Sequence, residues 1–204
     1  MEENIEKSTI EDVKGSVSPP SFFAGWALEI WEFARVIIIS LLIVLPIRFF
    51  IAQPFVVKGA SMEPNFYTGQ YLIIDEASYY FRSPERGEVI VFRYPQDPAE
   101  FFIKRIIGLP GERVEVAGGK VRIVNKKYPE GMILNESYLP SGRETLPDIA
   151  LDLGPTQYFV LGDNRLESSD SRRWGPLDRS FFIGRALVRL WPPGAMQFLT
   201  GTTY

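Results

Sequence analysis

From Phe22 to Gln53 the chain reads FFAGWALEIWEFARVIIISLLIVLPIRFFIAQ, and no strand alternation interrupts it. Trp26, Ile30, Phe33 and Ile37 recur at helical spacing while Glu29, Glu32 and Arg35 take the other side, so the segment is predicted to be one helix whose start lies at an interface. Val36 to Ile47 carries no charge, and apolar character resumes after Arg48 and reaches Ala52. An uncharged core of this length also fits a buried helix or the apolar region of a signal peptide. Tryptophans together with the flanking Arg35 and Arg48 sit where interface anchors belong, which favours a membrane span. No small-residue cleavage site follows, so the anchor is expected to be retained. Charge leaves its orientation open, since Lys7, Lys14 and Arg35 barely outnumber Arg48 and Lys58 across the run.

Three regions follow from this run. Residues 1–21 form an acidic arm, with Glu2, Glu3, Glu6, Glu11 and Asp12 against Lys7 and Lys14, closed by the helix-incompatible SVSPPS. Residues 22–52 are the interfacial and membrane-anchor helix. Residues 53–204 change to short runs rich in Val, Ile, Phe and Tyr punctuated by Gly and Pro, the pattern of an antiparallel sheet. Candidate strands are QYLIIDEA, EVIVFRY, FFIKRII, QYFVL and FFIGRALVRLW. RVEVAGGKVRIV reads as a hairpin, with Gly118 and Gly119 supplying the positive φ angles of a two-residue turn. From about Asn125 to Pro155 periodicity fades, and about 113–155 is expected to be a loop-rich insert. The predicted class is therefore mainly β: an antiparallel catalytic domain with a small insert, preceded by one anchor helix.

Composition narrows the chemistry. The 204 residues include no histidine and no cysteine, which excludes the Ser-His-Asp triad, imidazole or thiolate metal sites, thiol nucleophiles and disulfides. A net charge of −3 without a basic patch, zinc-finger spacing or RNA-binding aromatic motif argues against nucleic acid as a partner. A nucleophilic mechanism must then join a hydroxyl or carboxylate to a lysine, a carboxylate or a terminal amine. No cofactor or metal is called for.

Three segments supply the parts. KGASMEP places Ser61 among small neighbours shortly after the anchor. In FFIKRIIG, strand periodicity puts Phe102, Lys104 and Ile106 on one face and Ile103, Arg105 and Ile107 on the other. An ordinary lysine, with pKa about 10.4, is almost entirely protonated near neutrality, and burial must lower it by roughly two units or more, about 3 kcal/mol, before it serves as a base. LGDNRLESSDSRRWGP, after an apolar strand, offers Ser168 to hold a neutral lysine against Ser61, and Asp170 to pair with Arg105 or Arg172. Each segment alone has an ordinary reading: a turn, a snorkelling lysine, a polar surface loop.

Together they resemble the type I signal peptidases, or leader peptidases. Ser61, Met62 and Pro64 match the S-M-x-P motif; Lys104, Arg105, Gly108, Pro110 and Gly111 match K-R-x-x-G-x-P-G; and Gly162, Asp163, Asn164, Ser168, Asp170, Ser171 and Arg172 match G-D-N-x-x-x-S-x-D-S-R. The resemblance runs from the anchor to RALVRLWPP. It implies cleavage of amino-terminal signal peptides from exported preproteins, with the arm inside and the catalytic domain outside the cell membrane, or in a thylakoid membrane where the host has one. Ser61 would be the nucleophile, Lys104 the general base and Ser168 the group orienting it, with Asp163, Asp170, Arg105 and Arg172 in support. The oxyanion donor would be the Ser61 N–H. Some members add a serine hydroxyl two positions earlier, where this chain has Gly59. Phe55, Val57 and Ile103 would wall the shallow pockets for small side chains at positions −1 and −3 of the signal peptide. Glu88 and Glu112 stand where members often carry aspartate. Two rivals are a self-cleaving Ser-Lys repressor, which would need a DNA-binding module in place of the anchor, and a catalytically inactive tethered β domain that binds partners. Oligomeric state is not legible.

Overall fold

The computed structural model describes residues 22–46, 52–202 and 204. It separates a helical unit, ending at Leu45, from a second unit that runs from Pro46 to Tyr204. The helix, α1 (Phe22–Pro46), leaves Trp26, Ile30, Trp31, Phe33 and the apolar side chains from Val36 to Leu45 exposed. Among the described residues no helix is long and apolar enough to cross a membrane. Glu29, Glu32 and Arg35 interrupt its first part, and Ile47 to Ile51, which would extend the apolar run, lie outside the described residues. Ala52, expected to close that helix, is instead the first residue of a strand.

The second unit is built from strands β1 (Ala52–Val56), β2 (Tyr71–Asp75), β3 (Val89–Tyr94), β4 (Asp97–Gly108), β5 (Arg113–Ala117), β6 (Lys120–Val124), β7 (Met132–Ile133), β8 (Ile149–Asp152), β9 (Gln157–Leu161), β10 (Leu177–Asp178), β11 (Phe182–Trp191) and β12 (Gln197–Phe198). Two single-turn helices, α2 (Ser78–Phe81) and α3 (Ser171–Trp174), interrupt them. One antiparallel sheet has the order β1-β2-β11-β3-β4-β9-β10, with β12 added to β11; the other has the order β7-β6-β5-β8. All five strand segments expected from the apolar runs are present, and the fold is mainly β.

The insert is more ordered than its composition suggests. β5 and β6 form the expected hairpin, with φ of 55° at Gly118 and 76° at Gly119. Val114, Val116, Val121 and Ile123 alternate inward and bury against Leu134, Leu153 and the first sheet's Ile107, Phe159 and Leu161. β7 and β8 complete this sheet at its two edges. With two and four residues, they are too short to display a period, and for that reason the segment reads as loop.

Strand β4 organises the functional region. Its register sets Lys104 opposite Ile90 and Arg105 opposite Val89 on β3, whereas β9 pairs with β4 only from Arg105 to Gly108. Toward Phe101 the β9 side of β4 therefore has no strand partner among the described residues, and the chain leaving β9 at Leu161 turns there across the loop that joins β1 to β2.

Candidate active site

Met62 and Phe66, almost wholly buried with Val57, Leu72 and Val91, root the β1–β2 loop in the core. Two turn hydrogen bonds, Glu63 N–H to Ala60 O at 3.1 Å and Phe66 N–H to Met62 O at 2.9 Å, tighten it around Ser61. The segment after β9 clips the loop from the other side. Asn164 donates its N–H to Ser61 O at 3.0 Å and its Nδ2 to Ala60 O at 3.1 Å. Asn65 Nδ2 donates to Asp163 Oδ2 at 2.9 Å. Gly162 makes this fit possible: a Cβ there would fall 2.4 Å from Ser61 O and 2.2 Å from Ser168 Oγ, closer than atoms pack.

Lys104 Nζ donates to Ser61 Oγ at 2.7 Å and to Ile103 O at 2.9 Å. The lysine is 3% exposed, forms no carboxylate ion pair among the described residues, and lies over the Phe102 ring. Burial lowers its pKa from the usual 10.5 to about 8, although the more distant Asp170 and Asp163 charges pull the other way. A group with that pKa is about one tenth neutral at pH 7 and half neutral at pH 8.

Its neighbour Arg105 is equally buried but fully partnered. Nε and Nη2 donate to the two oxygens of Asp163 at 2.8 and 2.6 Å, Nη1 donates to Gly87 O, and the guanidinium stacks on Tyr138. Burial alone would lower its pKa, but the hydrogen bonds and charge of Asp163 more than offset this and raise it. Asp170 engages Arg172 in the same bidentate way, both contacts at 2.8 Å, and accepts the Gly162 N–H at 3.0 Å. Burial would raise the Asp170 pKa; Arg172, the Gly162 N–H and the nearby Ser168 hydroxyl together lower it. Of the two arginines open to Asp170 in the sequence, the structure pairs it with Arg172, and gives Arg105 to Asp163.

Ser168 is buried beside Gly162, near the Asp170 carboxylate, and its Oγ has no hydrogen-bond partner of good geometry among the described residues. The expected Ser168–Lys104 hydrogen bond is thus not formed in this structure; both strong Lys104 contacts go to Ser61 and the strand's own carbonyl. Among the described residues no cluster of acidic side chains suited to a metal ion occurs.

A family model described as "Signal peptidase, peptidase S26" matches residues 30–191. The chain belongs to this family. It is 37% identical to a probable signal peptidase I-2 of Synechocystis sp., over 98% of this chain and 87% of that protein. It is 39% identical to signal peptidase I of Leptolyngbya laminosa, over 79% of each. It is also 35% identical to a probable thylakoidal processing peptidase 2 of Arabidopsis thaliana, over 85% of this chain and 48% of the relative. Membership of this family makes the chain a serine peptidase of the signal peptidase I type.

In this signal peptidase Phe55, Val57 and Ile103 line one open cleft of about 730 Å³ with Ser61 and Lys104. Gly59 has φ of +85° with open space where a side chain would begin. A serine fits sterically there, but only in a backbone region costing an L-residue roughly 1 kcal/mol or more. Glu88 and Glu112 are buried and paired, with Arg82 and Arg86 respectively, and Glu112 also caps the Leu109 N–H. Sequence reasoning passed over Asn65 and Arg165. Arg165 is 2% exposed and reaches Gly162 O, Thr145 and Glu136 of the insert. Its place inside the third motif was the available signal, but its partner Glu136 sits in aperiodic sequence.

Proposed function

We propose that this signal peptidase is a membrane-anchored serine endopeptidase that removes signal peptides with a Ser61–Lys104 dyad. The observation that carries the reading is the 2.7 Å contact between Ser61 Oγ and an amine that burial holds near pKa 8. When Lys104 is neutral the same contact reverses: the hydroxyl donates to the amine lone pair. Ser61 Oγ then attacks the scissile carbonyl as its proton moves to Lys104 Nζ. Collapse of the tetrahedral species breaks the C–N bond, and Nζ returns the proton to the leaving amine. A water, deprotonated by the same amine, hydrolyses the ester and restores Ser61.

The Ser61 N–H has no hydrogen-bond partner among the described residues, which suits an oxyanion donor. The unpaired edge of β4 near Phe101 to Lys104 offers the backbone groups that an extended peptide needs to add as a strand. Small −1 and −3 side chains then enter the cleft walled by Phe55, Val57 and Ile103. Ser168 positions the lysine once its hydroxyl turns from Asp170, and Gly59 leaves the oxyanion to backbone donors. The exposed Trp26, Trp31 and Val36–Leu45 of α1 suit an anchor, with the acidic arm cytoplasmic and the peptidase unit on the far side of a cell or thylakoid membrane.

The test is cleavage of a purified preprotein carrying an Ala-x-Ala site by the full chain in detergent, with the new amino terminus sequenced. Cutting at that site by wild type and by neither Ser61→Ala nor Lys104→Ala is expected. Equal cutting by either variant overturns the dyad.

A further inference from the structure

A second open pocket of about 550 Å³, which shares no lining residue with the Ser61 cleft, is bounded by Asn65 and Phe66 of the β1–β2 loop, by β11 and β12, and by the residues after β12. Its charges do not balance internally. Arg105 is neutralised by Asp163, Arg185 by Asp75, and Glu88 is shared between Arg82 and, at 3.8 Å, Arg185. Arg189, also on the wall, has no carboxylate partner among the described residues. It is 9% exposed, its Nη2 donates to Asn65 O at 2.7 Å, its guanidinium lies over Phe66, and its Nε is buried with no acceptor among the described residues. Burial lowers its pKa without any anion to offset it.

A buried guanidinium with an idle donor is costly unless something supplies the missing charge and acceptors. The walls around it provide further donors of the right kind: the Gln197 amide and the Thr200 and Thr202 hydroxyls. A planar fork of N–H groups beside hydroxyls is the donor set that takes an oxyanion in two-point fashion. We propose that this cavity binds a phosphate-type oxyanion, either free phosphate or the phosphodiester of an anionic lipid headgroup, with Arg189 as its principal ligand.

The site would report to the nucleophile loop. Arg189 holds Asn65 O, and Asn65 Nδ2 holds Asp163, which in turn holds Arg105. An oxyanion that orders Arg189 therefore steadies the loop carrying Ser61 without entering the substrate cleft.

The experiment uses the full chain in uncharged detergent, titrated with inorganic phosphate against chloride at constant ionic strength, with thermal unfolding and titration calorimetry as readouts. A saturable heat with one site per chain is expected, and a rise in Tm of about 5 to 10 °C at a hundredfold excess over Kd. Arg189→Gln is expected to abolish both. Should that variant not fold, Arg189→Lys, which keeps the charge and loses the fork, is expected to weaken binding about tenfold. Short-chain phosphatidylglycerol and phosphatidylcholine titrated in parallel separate the sources: Arg189-dependent binding of the former alone marks a lipid headgroup, and of phosphate alone a free anion. No saturable heat with either phosphate or phosphatidylglycerol, or equal responses of wild type and variants, overturns the proposal.

Discussion

Lys104 and Arg105 are consecutive residues of one strand, both almost excluded from water, yet their environments drive their chemistry in opposite directions. Arg105 points into a setting of acceptors, with Asp163, Gly87 O and the Tyr138 ring, and its positive charge is secured. Lys104 points to a hydroxyl, one carbonyl and apolar walls, and its pKa drops to about 8. Burial is common to both; the deciding difference is a carboxylate within hydrogen-bond distance of one and not the other. Asp163 and Asp170 serve this contrast twice, since each removes a neighbouring arginine's positive charge while staying beyond ion-pair range of the lysine. A charged side chain without a partner is a cost to folding, and here that cost makes a base.

The sharpest way to break the contrast is Lys104→Arg, which keeps a cation in place but cannot release its proton. A fall in kcat of at least about a thousandfold is expected, measured by cleavage of a preprotein; retention of activity would show that the base lies elsewhere. Next is Asp163→Asn, which leaves Arg105 buried and unpaired. It should cost about 3–5 kcal/mol in denaturant unfolding, and it removes a charge that raises the lysine's pKa, so the acid limb of any remaining activity should move to lower pH.

Lys104→Met should do the reverse for stability. The folded pKa lies below the unfolded one, so the penalty of the wild-type lysine is complete below about pH 8 and disappears as pH rises to 10.5. The variant should therefore be inactive but more stable at pH 7, by up to about 3 kcal/mol, with the gain shrinking across that window; a pH-independent difference would contradict the shifted pKa. In wild type, kcat/KM should rise with pH to a plateau, with its midpoint near pH 8 and activity about tenfold below the plateau at pH 7. The smallest effect expected is that of Ser168→Ala on folding. Its Oγ makes no hydrogen bond of good geometry, so stability should change by less than about 1 kcal/mol, while kcat falls about tenfold if the hydroxyl positions Lys104.

Legibility followed element length. The runs holding β2, β3, β4, β9 and β11 were long enough to show strand character, and the hairpin was marked by two adjacent glycines. β7, β8, β10 and β12 span two to four residues and carry no period. β1 was hidden because Ala52 to Val56 follows directly on the apolar run and is broken by Gln53 and Pro54. At the site, the motifs singled out Ser61, Lys104, Asp163 and Asp170, but not which arginine each carboxylate would hold, nor that Arg165 would reach into the insert.

By itself the sequence determined the inventory and the strand phase. Without histidine or cysteine the base had to be a lysine, a carboxylate or a terminal amine, and a period of two set Lys104 and Arg105 on opposite faces. Only the tertiary structure decided that a loop rooted by Met62 meets β4 where β9 stops pairing with it, with Gly162 clearing the space between them. That meeting makes the amine a base, because desolvation and the distance to the nearest carboxylate are properties of packed segments far apart in the chain, and no local pattern encodes them.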